Sequence, residues 1–224
     1  MSLILSRSLS KNVLTFSENL YKKIFFSYKN QATFCLFLQE SLQNSVSSRM
    51  NYVFLCSDNQ NTHIMIRPVT LQDAPDIVAI YNEYIAHSTI TFDMNPLTTQ
   101  EMQQRISEIS QRYPYFVYEE DGIVEGYCYA HAWKEKEAYN RTLETTVYLS
   151  PAFTGKGIGR ELMQRLTDEC RRRGVHALIA CITSENTASC HFHAALGFRQ
   201  VSSFKEVGMK FGRWLDVADY ELIL

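Results

Sequence analysis

Three groups of residues in this chain could do chemistry by their types and spacing. The first is Thr154-Gly155-Lys156-Gly157-Ile158-Gly159-Arg160, which packs three glycines into five residues. Glycine lets the backbone approach a ligand closely, and a helix starting there would aim free N–H groups and its positive dipole end at an anion. A bare strand-to-helix connection would look the same, so the loop alone marks an anion site without naming the anion. The second is Glu144, heading the apolar run Thr145-Thr146-Val147-Tyr148-Leu149. Partly buried, its carboxylate would have a raised pKa and could act as a general base. Pointing outward, it would be a solvated strand-end charge. The third is His193, whose imidazole titrates near neutrality and is either an acid–base group or a histidine satisfied in helix packing, as His191 nearby is expected to be.

The elements that must position these groups follow from periodicity. Met65 to Val69 suits a short edge strand, because Pro68 cannot donate on both sides. Asp73 is placed to cap a helix with the apolar face Ile77, Ile80, Tyr81, Tyr84 and Ile85. Thr98-Thr99-Gln100-Glu101 has the form of a capping box for a helix to about Arg112. Tyr115–Glu119 and Ile123–Ala130 are strand-like, and Asp121-Gly122 between them signals a hairpin. Trp133 to Asn140 is polar and reads as a loop, followed by a strand from Leu143 to Leu149. Leu162, Met163, Leu166 and Cys170 share one face of a helix over Arg160–Arg173, which Gly174 stops. A buried strand at Ala177–Ile182, a short helix at Asn186–Leu196 and a last strand at Asp219–Leu224 complete the chain. Hairpins first and alternation afterwards predict one α/β domain with a mixed sheet, antiparallel in its first half.

Length and composition narrow the function. The chain has 224 residues, 46% hydrophobic and 21% charged, with net charge −2. Residues 1–64 carry six Lys/Arg against three Asp/Glu, and residues 65–224 carry 16 against 21, so the body is mildly acidic. That excludes the basic footprint of a nucleic-acid binder. No apolar run is long enough for a membrane span. Six cysteines lie singly in apolar segments without metal spacing, so no metal is expected and a reducing, cytoplasmic setting is. Residues 1–64 contain no Gly or Pro and end near Met50 and Met65. They are expected to lie outside the catalytic domain of residues 65–224, as a weakly ordered extension or a misassigned start.

Two nucleotide motifs fail at the glycine loop. A P-loop needs Ser or Thr after Gly-Lys, where this chain has Gly157. A dinucleotide fingerprint needs G-x-G-x-x-G and an acid after the next strand, where this chain has G-x-G-x-G and Ala180-Cys181. What remains is a loop for a pyrophosphate, fed by a strand that can bind the rest of a long cofactor.

Val147-Tyr148-Leu149-Ser150-Pro151, then Gly155-Lys156-Gly157-Ile158-Gly159-Arg160, then Asn186-x-x-Ser189-x-x-x-His193-Ala194-Ala195-Leu196-Gly197-Phe198 resemble the GNAT superfamily of N-acetyltransferases. Trp133-Lys134-x-Lys136-x-Ala138-Tyr139-x-x-Thr142-x-Glu144 and Val207-Gly208-x-Lys210-x-Gly212-x-Trp214-x-Asp216 resemble its phosphinothricin and methionine-sulfone/sulfoximine group. The resemblance implies the GNAT fold, a mixed sheet flanked by helices and splayed where acetyl-CoA lies. It implies that Val147, Tyr148 and Leu149 bind the pantetheine arm, with a backbone N–H near Tyr148 serving the oxyanion. Gly155 to Arg160 would hold the pyrophosphate, with Thr154 where a Gln or Arg is usual, and Asn186 and Ser189 would help hold the arm. Glu144 would be the base and His193 an acid or base. Phe92 would wall the amine site, and Lys134, Lys136, Ala138, Tyr139 and Asn140 would cover it. The partner is then a small-molecule amine, and the enzyme a homodimer to which the chain end contributes. A protein or peptide N-acetyltransferase and a non-enzymatic acyl-CoA-binding module are the alternatives.

Overall fold

The structure, a computed structural model, describes residues 63–224. The expectation for residues 1–62 therefore lies outside the described residues. Strands β1 (Ile64–Pro68), β2 (Tyr115–Glu120), β3 (Ile123–Ala132), β4 (Thr142–Leu149), β5 (Ala177–Thr183), β6 (Arg199–Gln200), β7 (Phe204–Lys210) and β8 (Arg213–Ile223) form one sheet. Their order is β1-β2-β3-β4-β5-β8-β6, with β7 also on β8. Helices α1 (Ala74–His87), α2 (Thr99–Ser110), α3 (Ile158–Arg172) and α4 (Thr187–Ala195) flank it.

All pairings but one are antiparallel. The exception is β4 with β5, joined through α3, and it spans only Thr142–Glu144 against Ala177–Ile179. Beyond that point β4 continues on β3 as far as Leu149↔Gly126, and β5 continues on β8 as far as Thr183↔Val217. The two strands part immediately after Glu144. Gly126 allows β3 and β4 to stay together to the end, since a Cβ there would stand 2.3 Å from Leu149 Cδ2 and 3.3 Å from the Tyr148 carbonyl.

The sheet buries both faces, which explains the unbroken apolar run Tyr115–Tyr118. Phe116, Tyr118, Cys128, Leu178, Ala180 and Ile182 pack on the α3 face built from Leu162, Met163, Leu166 and Cys170. Tyr115, Val117 and Tyr127 face the opposite way, onto Ile77, Ile80 and Ile85 of α1 and Met102 and Ile106 of α2. The Asp121-Gly122 turn has positive φ at both residues, 52° and 84°, the geometry that Asp-Gly favours. Thr98 and Glu101 form the expected capping box of α2.

Several expectations need correction. Asp73 makes no side-chain cap on α1, because its carboxylate accepts from the Thr70 N–H at 2.7 Å and pairs with Arg67 at 2.7 Å. Helix α2 ends at Ser110, short of Arg112. The last strand begins at Arg213, not Asp219, and pairs with an unforeseen strand, β7. Their turn, Phe211-Gly212, has φ of 51° and 74°, the same two-residue geometry as Asp121-Gly122 carried by a less telling dipeptide.

Leu166 is fully buried at the centre of the α3 face. Leu166→Ala removes that contact and leaves a cavity, so urea denaturation should show a loss of about 2–5 kcal/mol.

Candidate active site

Glu144 sits at the fork, where β4 loses β5. Its side chain is 29% exposed, and its pKa is raised, first by burial and then by the charge of Asp219, against a lowering by His131. His131 is its cross-strand partner on β3, with Nε2 3.9 Å from Glu144 Oε1. The sequence did not single out His131 or Asp219. A histidine ending a strand and an aspartate inside one carry no motif, and only the sheet order brings them to Glu144.

Beyond the fork the backbone of β4 is open on the β5 side. The register identifies which groups face that opening. Ser150 N–H donates to the Glu125 carbonyl at 2.8 Å, and antiparallel ladders alternate, so Tyr148, Thr146 and Glu144 bond back to β3. Val147 and Leu149 point the other way. The Tyr84 hydroxyl takes the Leu149 carbonyl at 2.7 Å. Val147 therefore offers the first N–H beyond the fork, one residue from Tyr148, around which the oxyanion donor was expected. The Tyr148 ring instead packs among Tyr81, Tyr84 and Tyr127.

The glycine loop follows β4. Gly155 and Gly157 have φ of 74° and 89°, with nothing within 4 Å of where a Cβ would stand. Among the described residues no acceptor takes the N–H groups of Gly155, Lys156, Gly157, Ile158 or Gly159. Five successive free donors at the start of a 15-residue helix form an anion cradle. Ile158 is buried in the core and Gly159 is packed close to the Phe192 ring, so both face a ligand only through backbone. The Lys156 ammonium lies 4.1 Å from the Phe153 ring centre, and Arg160 is exposed. Thr154 bonds the Pro151 carbonyl at 2.9 Å instead of reaching outward.

Asn186 caps α4, its Oδ1 accepting from Ser189 N–H at 3.1 Å, which leaves its amide NH2 for a ligand. His193 is 4% exposed and lies edge-on to Phe192 and Phe198. A carbonyl can only accept, so the 2.9 Å contact to the Ser189 carbonyl places the proton on Nδ1 and a lone pair on Nε2. Burial lowers its pKa, which favours this neutral form. The expected contrast with its neighbour is reversed, because His191 is exposed and His193 is the packed one.

The loop over β3 and β4 is self-packed at one end. Lys134 Nζ lies 3.9 Å from the Trp133 ring centre and 5.2 Å from that of Tyr139, and the two rings meet edge-on. Lys136, Ala138 and Asn140 are exposed. Phe92 is 40% exposed, and its ring rests on Gly208, where a Cβ would stand 2.3 Å away. That glycine fastens the α1–α2 segment to β7, helped by buried Lys210, which donates to the Thr91 carbonyl at 2.8 Å. A cleft of about 390 Å³ runs beside this segment, lined by Thr89, Glu185, Asn186, Phe211 and Arg213 among others, but not by Glu144 or His193.

An acetyltransferase (GNAT) domain profile matches residues 66–218, well over half of the chain. The chain belongs to the GNAT acetyltransferases. It is 39% identical to the L-methionine sulfoximine/L-methionine sulfone acetyltransferase of Salmonella typhimurium, over 71% of this chain and 94% of that protein. It is 40% identical to the phosphinothricin N-acetyltransferase of Alcaligenes faecalis, over 67% of this chain and 78% of that protein. A GNAT superfamily phosphinothricin acetyltransferase from Sinorhizobium meliloti, solved in complex with acetyl-CoA, superposes with a TM-score of 0.69 at 37% identity, covering 72% of this chain and 88% of that one. The protein is thus an enzyme that transfers an acetyl group.

Burial of Glu144 has a cost that can be measured. Because the folded state raises its pKa, ionisation weakens folding above the ordinary carboxylate range, and protonation removes that penalty. Glu144→Gln should therefore melt higher than the parent protein at neutral pH, with the gap closing as pH falls below that range. Calorimetry across pH reads this directly, and a lower-melting variant at neutral pH would count against a desolvated carboxylate.

Proposed function

We propose that this GNAT enzyme transfers acetyl from acetyl-CoA directly to the α-amino group of a small amino-acid-like compound, of the phosphinothricin, methionine sulfone or methionine sulfoximine type. The observation that carries this is the parting of β4 from β5 immediately after Glu144. An extended arm bearing amides can lie in the gap and continue the interrupted ladder on Val147, as a peptide does at a sheet edge. Its pyrophosphate then falls to the free amides of Gly155–Gly159, and Asn186 reaches the arm from the other side.

In this arrangement the thioester carbonyl lies at the fork beside Glu144. The amine arrives as an ammonium, and Glu144 takes its proton, directly or through a water. The free amine attacks the thioester carbon, the Val147 N–H faces the developing oxyanion, and the intermediate collapses to amide and CoA thiol. Neutral His193 presents Nε2 as an acceptor. Its burial favours assistance in deprotonation over protonation of the thiolate, which would need an imidazolium. Phe92 walls the amine site, and Lys134, Lys136, Ala138, Tyr139 and Asn140 line its cover, where ammonium groups suit a carboxylate and a phosphinate or sulfone oxygen. Lys134, already seated on Trp133 and Tyr139, is the more ordered of the two cations.

We also propose a homodimer. Phe204, Val207, Met209, Phe211 and Trp214 are all at least 47% exposed on the β7–β8 hairpin, beside exposed Phe92 and Met94. An apolar surface of that extent fits a second copy better than water. Light scattering should give a mass near twice 25.9 kDa, and a monomer would refute it.

The function is tested by thiol release from acetyl-CoA with phosphinothricin, methionine sulfone and methionine sulfoximine. Turnover is expected with at least one, and none with all three refutes the substrate class. Glu144→Gln should lower kcat by about 100-fold or more while leaving acetyl-CoA affinity within about twofold, because a general base contributes to the transition state and not to cofactor binding.

A further inference from the structure

Net acetylation of an ammonium releases one proton. The ammonium has two to lose on the way to the amide, and the departing thiolate keeps one. If Glu144 takes the other, as the reading above holds and on which this inference rests, it must discharge that proton before the next turnover. We propose that His131, set opposite Glu144 across the β3–β4 ladder, receives the proton and hands it to solvent.

The geometry supports each step. His131 Nδ1 lies 3.1 Å from the Ala132 carbonyl, an acceptor only, so Nδ1 carries the hydrogen and Nε2 keeps its lone pair. That Nε2 is the atom 3.9 Å from Glu144 Oε1. At this separation the proton crosses after a small side-chain rotation or through one water. The O–H bond of the protonated carboxyl breaks, an N–H bond forms at Nε2, and the carboxylate is restored beside an imidazolium. The imidazolium then loses the same proton to water or buffer. His131 is 34% exposed, so its imidazole is open to solvent.

Two other groups near Glu144, Tyr129 and Cys181, hold their own protons and cannot take another from it. On β3, Tyr129 packs against the His131 ring, and burial keeps it a phenol. On β5, the Cys181 thiol is pushed up to about 12, by desolvation first and then by the charges of Glu144 and Asp219. On β8, Asp219 faces Glu144 as a second carboxylate, which raises the affinity of Glu144 for its proton and so makes an outlet more necessary. Once it carries the proton, the His131 imidazolium favours the ionised form of Glu144.

The test uses the full chain with acetyl-CoA and L-methionine sulfone, reading CoA release across pH for the parent, His131→Ala, His131→Gln and Glu144→Gln. In His131→Ala, kcat should fall about tenfold or more, the KM for acetyl-CoA should hold, and the acid limb of kcat/KM should move to higher pH. Added imidazole should restore part of the rate in proportion to its free base. A parent-like kcat and acid limb overturn the proposal. So does a loss that imidazole does not rescue, which would assign His131 to holding the strand. Glu144→Gln separates the two readings: an active Glu144→Gln overturns the base itself, whereas an inactive one beside an unaffected His131→Ala overturns only the outlet. Carbon-13 titration of the Glu144 carboxyl, which needs no substrate, should move up in His131→Ala, and an unmoved titration refutes the coupling.

Discussion

The site depends on an incomplete ladder. Beyond Glu144 the two parallel strands no longer satisfy each other's backbone groups, and unpaired N–H and C=O groups are tolerated only where a side chain, water or ligand can reach them. Among the described residues the Tyr84 hydroxyl is such a partner, donating to the Leu149 carbonyl. The amides of Gly155–Gly159 have none among the described residues, and the register turns the Val147 N–H to the side where β4 has no strand partner. The free groups run along one line, from the end of the paired segment to the start of α3. A ligand that binds there must be extended and amide-bearing at one end and anionic at the other.

The fork also divides the sheet into two functions. Val147 and Leu149 face the α3 core, while Glu144, Thr146 and Tyr148 face the tyrosine-rich layer under α1. The alternation of a single strand therefore presents an open backbone edge on one side and the Glu144 carboxylate on a face of the sheet. The α1–α2 segment is tied down at several points. Thr183 donates to the Thr89 carbonyl at 2.7 Å, the Tyr81 hydroxyl holds Thr91 and Asp93 at 2.7 and 2.8 Å, and Arg105 pairs with Asp93. A segment tied at so many points to β5, β7, α1 and α2 is a wall more than a lid.

Much of this was legible in the residues because it is encoded locally. The glycine loop, the capping box at Thr98, the Asp121-Gly122 turn and the α3 stripe each depend on neighbours within a few positions. The unforeseen features depend on distant ones. His131 and Asp219 reach Glu144 only because β3 and β8 lie where they do in the sheet. The Asp73 carboxylate is drawn from its helix by Arg67, and the Tyr148 N–H is claimed by a register set at Ser150. Resemblance to a family supplied the roles expected of Glu144 and His193, which type and spacing left open. It carried no signal for His131.

Charge around Glu144 is balanced, not minimised. A carboxylate meant only for stability would be paired closely with a cation, and its pKa would fall, as it does for Glu169, brought down to about 2 by hydrogen bonds from Arg172 and Arg173. Glu144 is treated oppositely. It is partly desolvated, faces a second carboxylate, and has the His131 imidazole at 3.9 Å. A fixed arginine at that position would hold Glu144 ionised, while an apolar residue would leave its proton only the direct path to solvent. An imidazole avoids both outcomes, since it can be neutral while the carboxylate waits and charged while the proton leaves. The same reasoning separates the two buried or half-buried histidines. His193 has its Nδ1 fixed on a helix carbonyl and its ring shielded by phenylalanines, which suits a group that stays neutral. His131 has one edge on Glu144 and is 34% exposed to solvent.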